Sequence, residues 1–307
     1  MKQPALSIIA GPTASGKTSL AIRLAQKLGA EIVSADSQQL YRHFDIGTAK
    51  PDAAELAAVP HHLISVLDPL ARCSASQFMH LADDAIAQIH SRNRPVVVVG
   101  GTGLYLRVLL HGVVDAPGSD ETVRSELTAI AETQGNAALH EILKSVDPVT
   151  AQKLPVADRV RIIRALEIHR LTGQTASAHR EQHQFAPLRY RARLWVLTPP
   201  REALYETINR RTEKMFAAGL VDEARELIAK GYRHAAPMEA VGYAQALDVI
   251  EGRLTEAEAI ADCAQKTRHY AKRQLTWFRK EAGARELVPS ADVELLAREH
   301  QLLSAAD

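Results

Sequence analysis

Three groups of residues in this chain have the types and spacing to do chemistry. The first is Gly11-Pro12-Thr13-Ala14-Ser15-Gly16-Lys17-Thr18, which carries the fixed positions GxxxxGKT of a phosphate-binding loop. Gly11 and Gly16 admit backbone angles that a side chain forbids, so successive amides can turn inward around an anion at a helix N-terminus. Lys17 adds a point charge, and Thr18 offers a hydroxyl to a magnesium ion. A chance glycine turn would not carry every fixed position with these flanks. The motif says phosphate; it does not say which phosphate compound, or what becomes of it. The second group is Asp36-Ser37-Gln38-Gln39. A carboxylate beside a phosphate cradle can take a proton from an incoming nucleophile; the plainer reading of Asp36 is a turn or capping aspartate. The third is Lys266 to Lys280, with six Lys or Arg and three aromatics in fifteen residues and no acid. Basic groups interleaved with aromatics suit a nucleic-acid backbone with exposed bases. Core packing of Tyr270, Trp277 and Phe278 explains the aromatics equally well, but not the charge density.

Other clusters carry less. Gly100-Gly101-Thr102-Gly103 follows an apolar run where a P-loop NTPase usually places an acid to help hold magnesium. The nearest acid after that run is Asp115, one helix away, which counts against an ATPase or GTPase. Arg161 and Arg164 share a helix face by their i, i+3 spacing, as either a solvated stripe or a phosphate contact. Arg210 and Arg211 are indistinguishable by sequence physics, and Glu223, Arg225 and Glu226 read as an ordinary helix surface. His61-His62 lacks a third ligand or an i, i+4 partner, which argues against a metal site.

The elements that must position these groups follow from periodicity. Residues 6–10 and 31–35 read as strands, and residues 16–28 as the helix that the phosphate loop opens, stopped by Gly29. Residues 61–66 read as a short strand, 74–92 as an amphipathic helix capped at Ser74 or Ser76, and Val96–Val99 as a buried parallel strand. In open α/β sheets ligands sit beyond the carboxyl ends of strands, which brings Asp36 to the phosphate loop. From about residue 117 the pattern is helical only, over 121–133, 137–145 and 157–171, until a strand at 193–197. The remainder reads as helices to about residue 303. The expected architecture is α/β: a parallel-sheet core of the P-loop NTPase type, begun by residues 1–117, interrupted by a helical insertion at 118–190, and completed by 191–307 with its C-terminal helices.

The chain of 307 residues is 46% hydrophobic, enough for a sizeable core, and carries a net charge of only +1. Any affinity for nucleic acid must therefore come from local patches. Cys73 and Cys263 show no metal spacing and fit a reducing cytoplasm. No basic-then-apolar leader opens the sequence, and no apolar run reaches the roughly 20 residues of a membrane span, so a cytoplasmic protein with no membrane association is expected.

Taken together, GPTASGKT, DSQQLYRHFDIGTAKP at 36–51, VVGGTGLYL at 98–106, RVRIIRALEI at 159–168 and KRQLTWFR at 272–279 resemble the tRNA dimethylallyltransferase family, the tRNA isopentenyltransferases of bacteria. The motifs stand in the family's order over nearly the whole chain. The resemblance implies transfer of a dimethylallyl group from dimethylallyl diphosphate to the exocyclic N6 amine of the adenosine just 3′ of the anticodon, in tRNAs that read codons beginning with U. It implies magnesium, the tRNA anticodon stem-loop as partner, and a monomer. Carried over by position, the diphosphate falls to Gly11, Pro12, Thr13, Ala14, Ser15, Gly16, Lys17 and Thr18, with Arg211, although Thr207 stands where the family often has a second arginine. Asp36 becomes the general base, with Lys17 and Thr102 in catalytic roles. The tRNA falls to Asp36, Ser37, Gln38, Gln39, Thr102, Arg124, Val160, Arg161, Ile162, Ile163 and Arg164. It falls further to a stretch near 239–243 that includes Gly242 and Tyr243, and to Lys272, Arg273, Gln274, Trp277 and Arg279. ATP is expected to occupy the loop weakly without being turned over. Rival readings are an adenylate isopentenyltransferase acting on a free nucleotide, a small-molecule kinase, and an RNA-binding protein that uses nucleotide as a switch.

Overall fold

The computed structural model describes residues 4–114, 116–183, 188–288 and 290–305, and Asp115 lies outside them. The described chain forms two compact units, residues 4–110 with 188–288 and 290–305, and residues 111–114 with 116–183.

The first unit is built on six parallel strands in the order β3-β2-β4-β1-β5-β6. They are β1 (Ala5–Ala10), β2 (Glu31–Ser34), β3 (His61–His62), β4 (Val96–Gly100), β5 (Arg191–Leu197) and β6 (Ala284–Leu287). The β-branched runs of β1, β2 and β4 are fully buried, as strands covered on both faces require. Register aligns Ala10 with Gly100 and Ser34 with Val99, so the three loops that follow these strands leave the sheet at one level. Helix α1 (Lys17–Leu28) covers one face with Leu20, Ala21, Leu24 and Ala25, packed against Ile9, Ile32, Val97 and Trp195. Between β2 and β3 lies the single-turn-and-a-half α2 (Ala53–Ala58), closed by an Asp52–Glu55 capping box; α3 (Ala75–Ser91) has the same device in Ser74 and Gln77. Helix α4 (Gly103–His111) follows β4.

The second unit contains α5 (Glu121–Val146), α6 (Pro148–Lys153), α7 (Arg159–Thr172) and α8 (Ala176–His183). Gly135, at φ 83 and ψ 163, breaks α5 into two helical pieces, as the sequence pattern implied. Leu127, Leu139, Leu143, Ile162 and Leu166 form this unit's own core. After β5, the first unit resumes with α9 (Arg201–Ala217), α10 (Leu220–Ala229), α11 (Tyr243–Ile250), α12 (Glu256–Phe278) and, beyond β6, α13 (Val293–Ala305).

Several elements differ from the periodicity reading. The strand expected over 61–66 stops at His62, because Leu63 and Ser65 adopt φ of 62 and 55, which no strand accommodates. The supposedly all-helical C-terminal region contains β6, a four-residue edge strand in which Arg285 and Glu286 are exposed. Helices α2, α6 and α8 are too short to show a 3.6-residue pattern.

Candidate active site

The phosphate loop is formed as its spacing requires. Gly16 caps α1 at φ 84 without a side-chain bond, and Ala14 also sits in the left-handed region at φ 63. A non-glycine residue held there costs on the order of 1–2 kcal/mol, a strain typical of functional loops. The loop's outer wall is fixed from α12: Gln274 Oε1 accepts from Thr13 N at 2.8 Å, and its Nε2 donates to Gly101 O at 2.8 Å. The Thr13 amide is therefore engaged by protein, as is the Ser15 amide with Pro12 O at 3.3 Å, and the anion cradle must be drawn from the other amides of the loop. A Cβ on Gly101 would collide with Gln274, and one on Gly103 with Trp277. Glycines stand where an NTPase keeps its acid because α12 packs against that turn.

The strand-end loops converge on one cleft of roughly 490 Å³, lined by Thr13, Lys17 and Thr18, by Asp36 and Gln39, and by Arg211 of α9, with Ala49, Pro51, Ile64 and Val99 as its apolar part. Asp36 Oδ1 accepts from Gln38 N at 2.9 Å, whereas Oδ2 has no hydrogen-bond partner among the described residues. Thr102 ties the neighbouring turn to the same loop, its Oγ1 accepting from Ser37 N at 3.0 Å. Burial pulls the Lys17 ammonium down to about 8; the Asp36 carboxylate opposes this and the Arg211 charge adds to it. The Arg211 guanidinium is likewise lowered by burial and supported by Asp36, and it donates to Thr13 Oγ1 at 2.6 Å. Two half-buried cations thus face a phosphate loop beside a carboxylate with one open oxygen. That arrangement can hold a multiply charged anion and accept a proton next to it. Of the pair that sequence could not separate, Arg211 is the one in the cleft.

Two cleft features escaped the sequence. His61 also lines the cleft; its Nδ1 is 2.7 Å from Val59 O, which leaves Nε2 as an unpartnered buried acceptor, and burial lowers the ring's pKa and keeps it neutral. The wall formed by residues 44–50 is clamped by Glu223, placed by sequence on an ordinary helix surface. Its carboxylate accepts from Ile46 N at 2.9 Å and from the Tyr243 hydroxyl. Tyr243 Oη in turn accepts from Gly47 N at 3.1 Å. Gly47 has no room for a side chain, since a Cβ would overlap the Tyr243 ring. Only the apposition of distant segments reveals this clamp; the nearest local signal is the glycine in Asp45-Ile46-Gly47-Thr48.

Three positions carried over as RNA contacts are placed elsewhere by packing. Tyr243 is 0% exposed and holds the 44–50 wall, Ile162 is 0% exposed in the core of the helical unit, and Gln274 spends its polar atoms on Thr13 N of the cradle and Gly101 O of the turn after β4. Gly242 is buried next to Tyr243, and the other positions have exposed or half-buried side chains, Val160 among the exposed. In the helical unit, Arg124 Nε reaches the fully buried Glu167 at 2.8 Å, and Arg164 Nη1 reaches it at 2.6 Å. Arg161 pairs with Asp158. On α12, Arg273 lies over the Tyr270 ring at 5.6 Å, and Trp277 stacks under Arg107 at 4.4 Å. Among the described residues no group of three or more His, Cys, Asp or Glu could hold a metal, and no helix is long and apolar enough to cross a membrane.

The family model described as IPP transferase matches residues 39–281, and a model described as isopentenyl transferase matches residues 4–66. The chain is 62% identical to the tRNA dimethylallyltransferase of Myxococcus xanthus (strain DK1622), over 96% of each chain. It is 49% identical to that of Anaeromyxobacter sp. (strain Fw109-5), over 95% of this chain and 97% of the relative. Among solved structures, the tRNA isopentenylpyrophosphate transferase of Bacillus halodurans superposes with a TM-score of 0.71 at 38% identity, covering 99% of this chain and 96% of that one. A eukaryotic dimethylallyltransferase described as acting on tRNA superposes with a TM-score of 0.80 at 27% identity, covering 93% and 74%.

Proposed function

The chain belongs to the IPP transferase family, and from that premise we propose that it transfers a dimethylallyl group from dimethylallyl diphosphate to a tRNA adenosine. The acceptor is the exocyclic N6 amine of the adenosine 3′ to the anticodon, in tRNAs reading codons that begin with U. The observation that carries the reading is the shared cleft, in which Lys17, Thr18 and Arg211 face the same space as the open oxygen of Asp36. As the allylic carbon–oxygen bond breaks, negative charge collects on the departing diphosphate, where the cradle amides, Lys17 and Arg211 lie. Stabilising that anion lowers the barrier directly. The amine nitrogen bonds to the allylic carbon, and Asp36 takes the proton that the nitrogen loses. Ala49, Pro51, Ile64 and Val99 offer the hydrocarbon an apolar surround.

Magnesium fits this donor set as an ion shared with the diphosphate. The cleft supplies the Thr18 hydroxyl rather than a cage of protein ligands, and magnesium is commonly held by few protein groups plus phosphate and water. Bound there, it would neutralise charge on the leaving group. The unpaired bases of an anticodon loop make entry of one base into the cleft inexpensive. The reading places the enzyme in the cytoplasm, with its tRNA. Labelled dimethylallyl diphosphate offered in parallel to total tRNA, AMP and shikimate tests it: label should enter tRNA alone and depend on magnesium. Asp36→Ala should slow transfer by roughly 10²–10⁴-fold, with tRNA affinity far less affected. ADP formed from ATP at a comparable rate would instead support a kinase or ATPase.

A further inference from the structure

Outside the cleft, a groove of about 800 Å³ lies between the start of α9 and the last turns of α12. Leu204 and Leu275 form its floor, while Arg201, Lys272 and Arg279 line it with Tyr205 and Thr276, and no acid is among the lining residues. The Tyr205 ring arranges this charge, with the Arg201 guanidinium 5.1 Å from its centroid and that of Arg268 5.9 Å away. Arg268 is held a second time, donating to Asn209 Oδ1 at 2.6 Å. Among the described residues, Arg201, Arg268, Lys272 and Arg279 form no ion pair, whereas Lys266 at the start of the same basic run is paired with Asp262 at 2.7 Å. The N-terminus of α9 has no capping side chain, so the positive end of its dipole adds to the field. Glu202 in that first turn is the one acid there, and it does not line the groove.

Folding gives no reason to collect unpaired cations around a concave, partly apolar surface, since they repel one another. We propose that this groove binds the sugar–phosphate backbone of the RNA substrate, and that Arg201, with Arg268 beside it, belongs to the RNA interface, Tyr205 being their positioning residue. The inference rests on the transferase reading and extends its RNA surface from α12 to the start of α9. An RNA strand fits better than a small anion because the cations are strung along a groove rather than converging on one point.

The test uses the full chain and a synthetic anticodon stem-loop RNA. Arg201→Ala should weaken binding several-fold and flatten the slope of log K against log salt by about 0.7–0.9 for a lost phosphate contact. It should raise KM for RNA while leaving KM for dimethylallyl diphosphate in place. Tyr205→Phe should match wild type, because the ring and not the hydroxyl orients the arginines, and Tyr205→Leu should behave as Arg201→Ala does. An unchanged salt slope in a normally folded Arg201→Ala protein would overturn the proposal. So would inorganic diphosphate displacing RNA from wild type and Arg201→Ala alike only through the cleft, with no difference in RNA affinity between them. Failure of the transferase reading is a separate result: wild-type protein that prenylates no RNA at all.

Discussion

The chain has two concentrations of arginine and lysine, and they have been put to opposite uses. In the helical unit, Arg124 and Arg164 converge on Glu167, a carboxylate with no exposed surface that also accepts from Asp120 N at 2.8 Å. Arg164 further donates to Pro117 O at 2.6 Å. These charges are matched inside the unit and hold α5, α7 and the chain before α5 together. At the last turns of α12 and the start of α9, Arg201, Lys272, Arg273 and Arg279 have no carboxylate partners among the described residues and stand at the surface. Arginine-rich helices look alike in sequence. What separates them is whether a buried acid is packed against them, here one that joins Arg164 on its own helix to Arg124 on another.

That contrast is open to measurement. The largest effect is expected in the paired region, where Arg124→Ala with Arg164→Ala leaves Glu167 buried without a counter-charge. Thermal or urea unfolding should report a loss of about 3 kcal/mol, near the low end for a broken buried pair because both guanidiniums keep about a third of their surface in solvent. The same network has a pH signature. Burial alone would raise the Glu167 pKa, but the hydrogen bonds from Arg124, Arg164 and Asp120 N outweigh it and hold the group below its ordinary 4.5. Its stabilising contribution is therefore complete above pH 4.5 and is lost as the pH falls through the depressed folded value. Unfolding of the wild type in acid should show this loss, and unfolding of Glu167→Gln should not.

Lys17 sharpens the comparison as a half-buried cation without an ion-pair partner among the described residues. With a folded pKa of about 8 against an ordinary 10.5, the unfolded chain binds more protons between these values, so stability should rise with pH across that window. Affinity for inorganic diphosphate should move the other way, falling up to about tenfold per pH unit above 8 as the ammonium is lost. Titration calorimetry from pH 7 to 9.5 measures it. The smallest effect belongs to the exposed set: Lys272→Ala or Arg273→Ala should leave stability within about 0.5 kcal/mol of wild type and lower the RNA salt slope by about 0.7–0.9 each. A stability loss comparable with that of the Arg124 and Arg164 pair would erase the distinction.

How much of this was legible depended on whether the determining contact is local. The phosphate loop, the strand-end Asp36 and the glycine turn after β4 are local patterns, and they converge as strand topology demands. The gap between the helical patterns at 121–133 and 137–145 announced the break in α5 for the same reason. The clamp of Glu223 and Tyr243 on residues 46–47 joins segments nearly two hundred residues apart, and no periodicity in either segment encodes it. Gln274 illustrates the limit of motif reading. Its place between basic residues suggested RNA, yet the helix turns it inward, where one amide satisfies a donor and an acceptor from two different loops. Likewise β6 has too few residues, and too exposed a pair at its centre, to announce itself before β5 is there to pair with it.

Because Gln274 follows Lys272 and Arg273 directly on α12, the helix face that meets solvent and the bolt behind the anion cradle move as one piece. Thermodynamic reciprocity then sets a rule for two occupants that never touch through this helix. Any displacement of α12 favoured by RNA on the outside alters the cradle's affinity for its anion by some factor, and the anion must alter the affinity for RNA by that same factor.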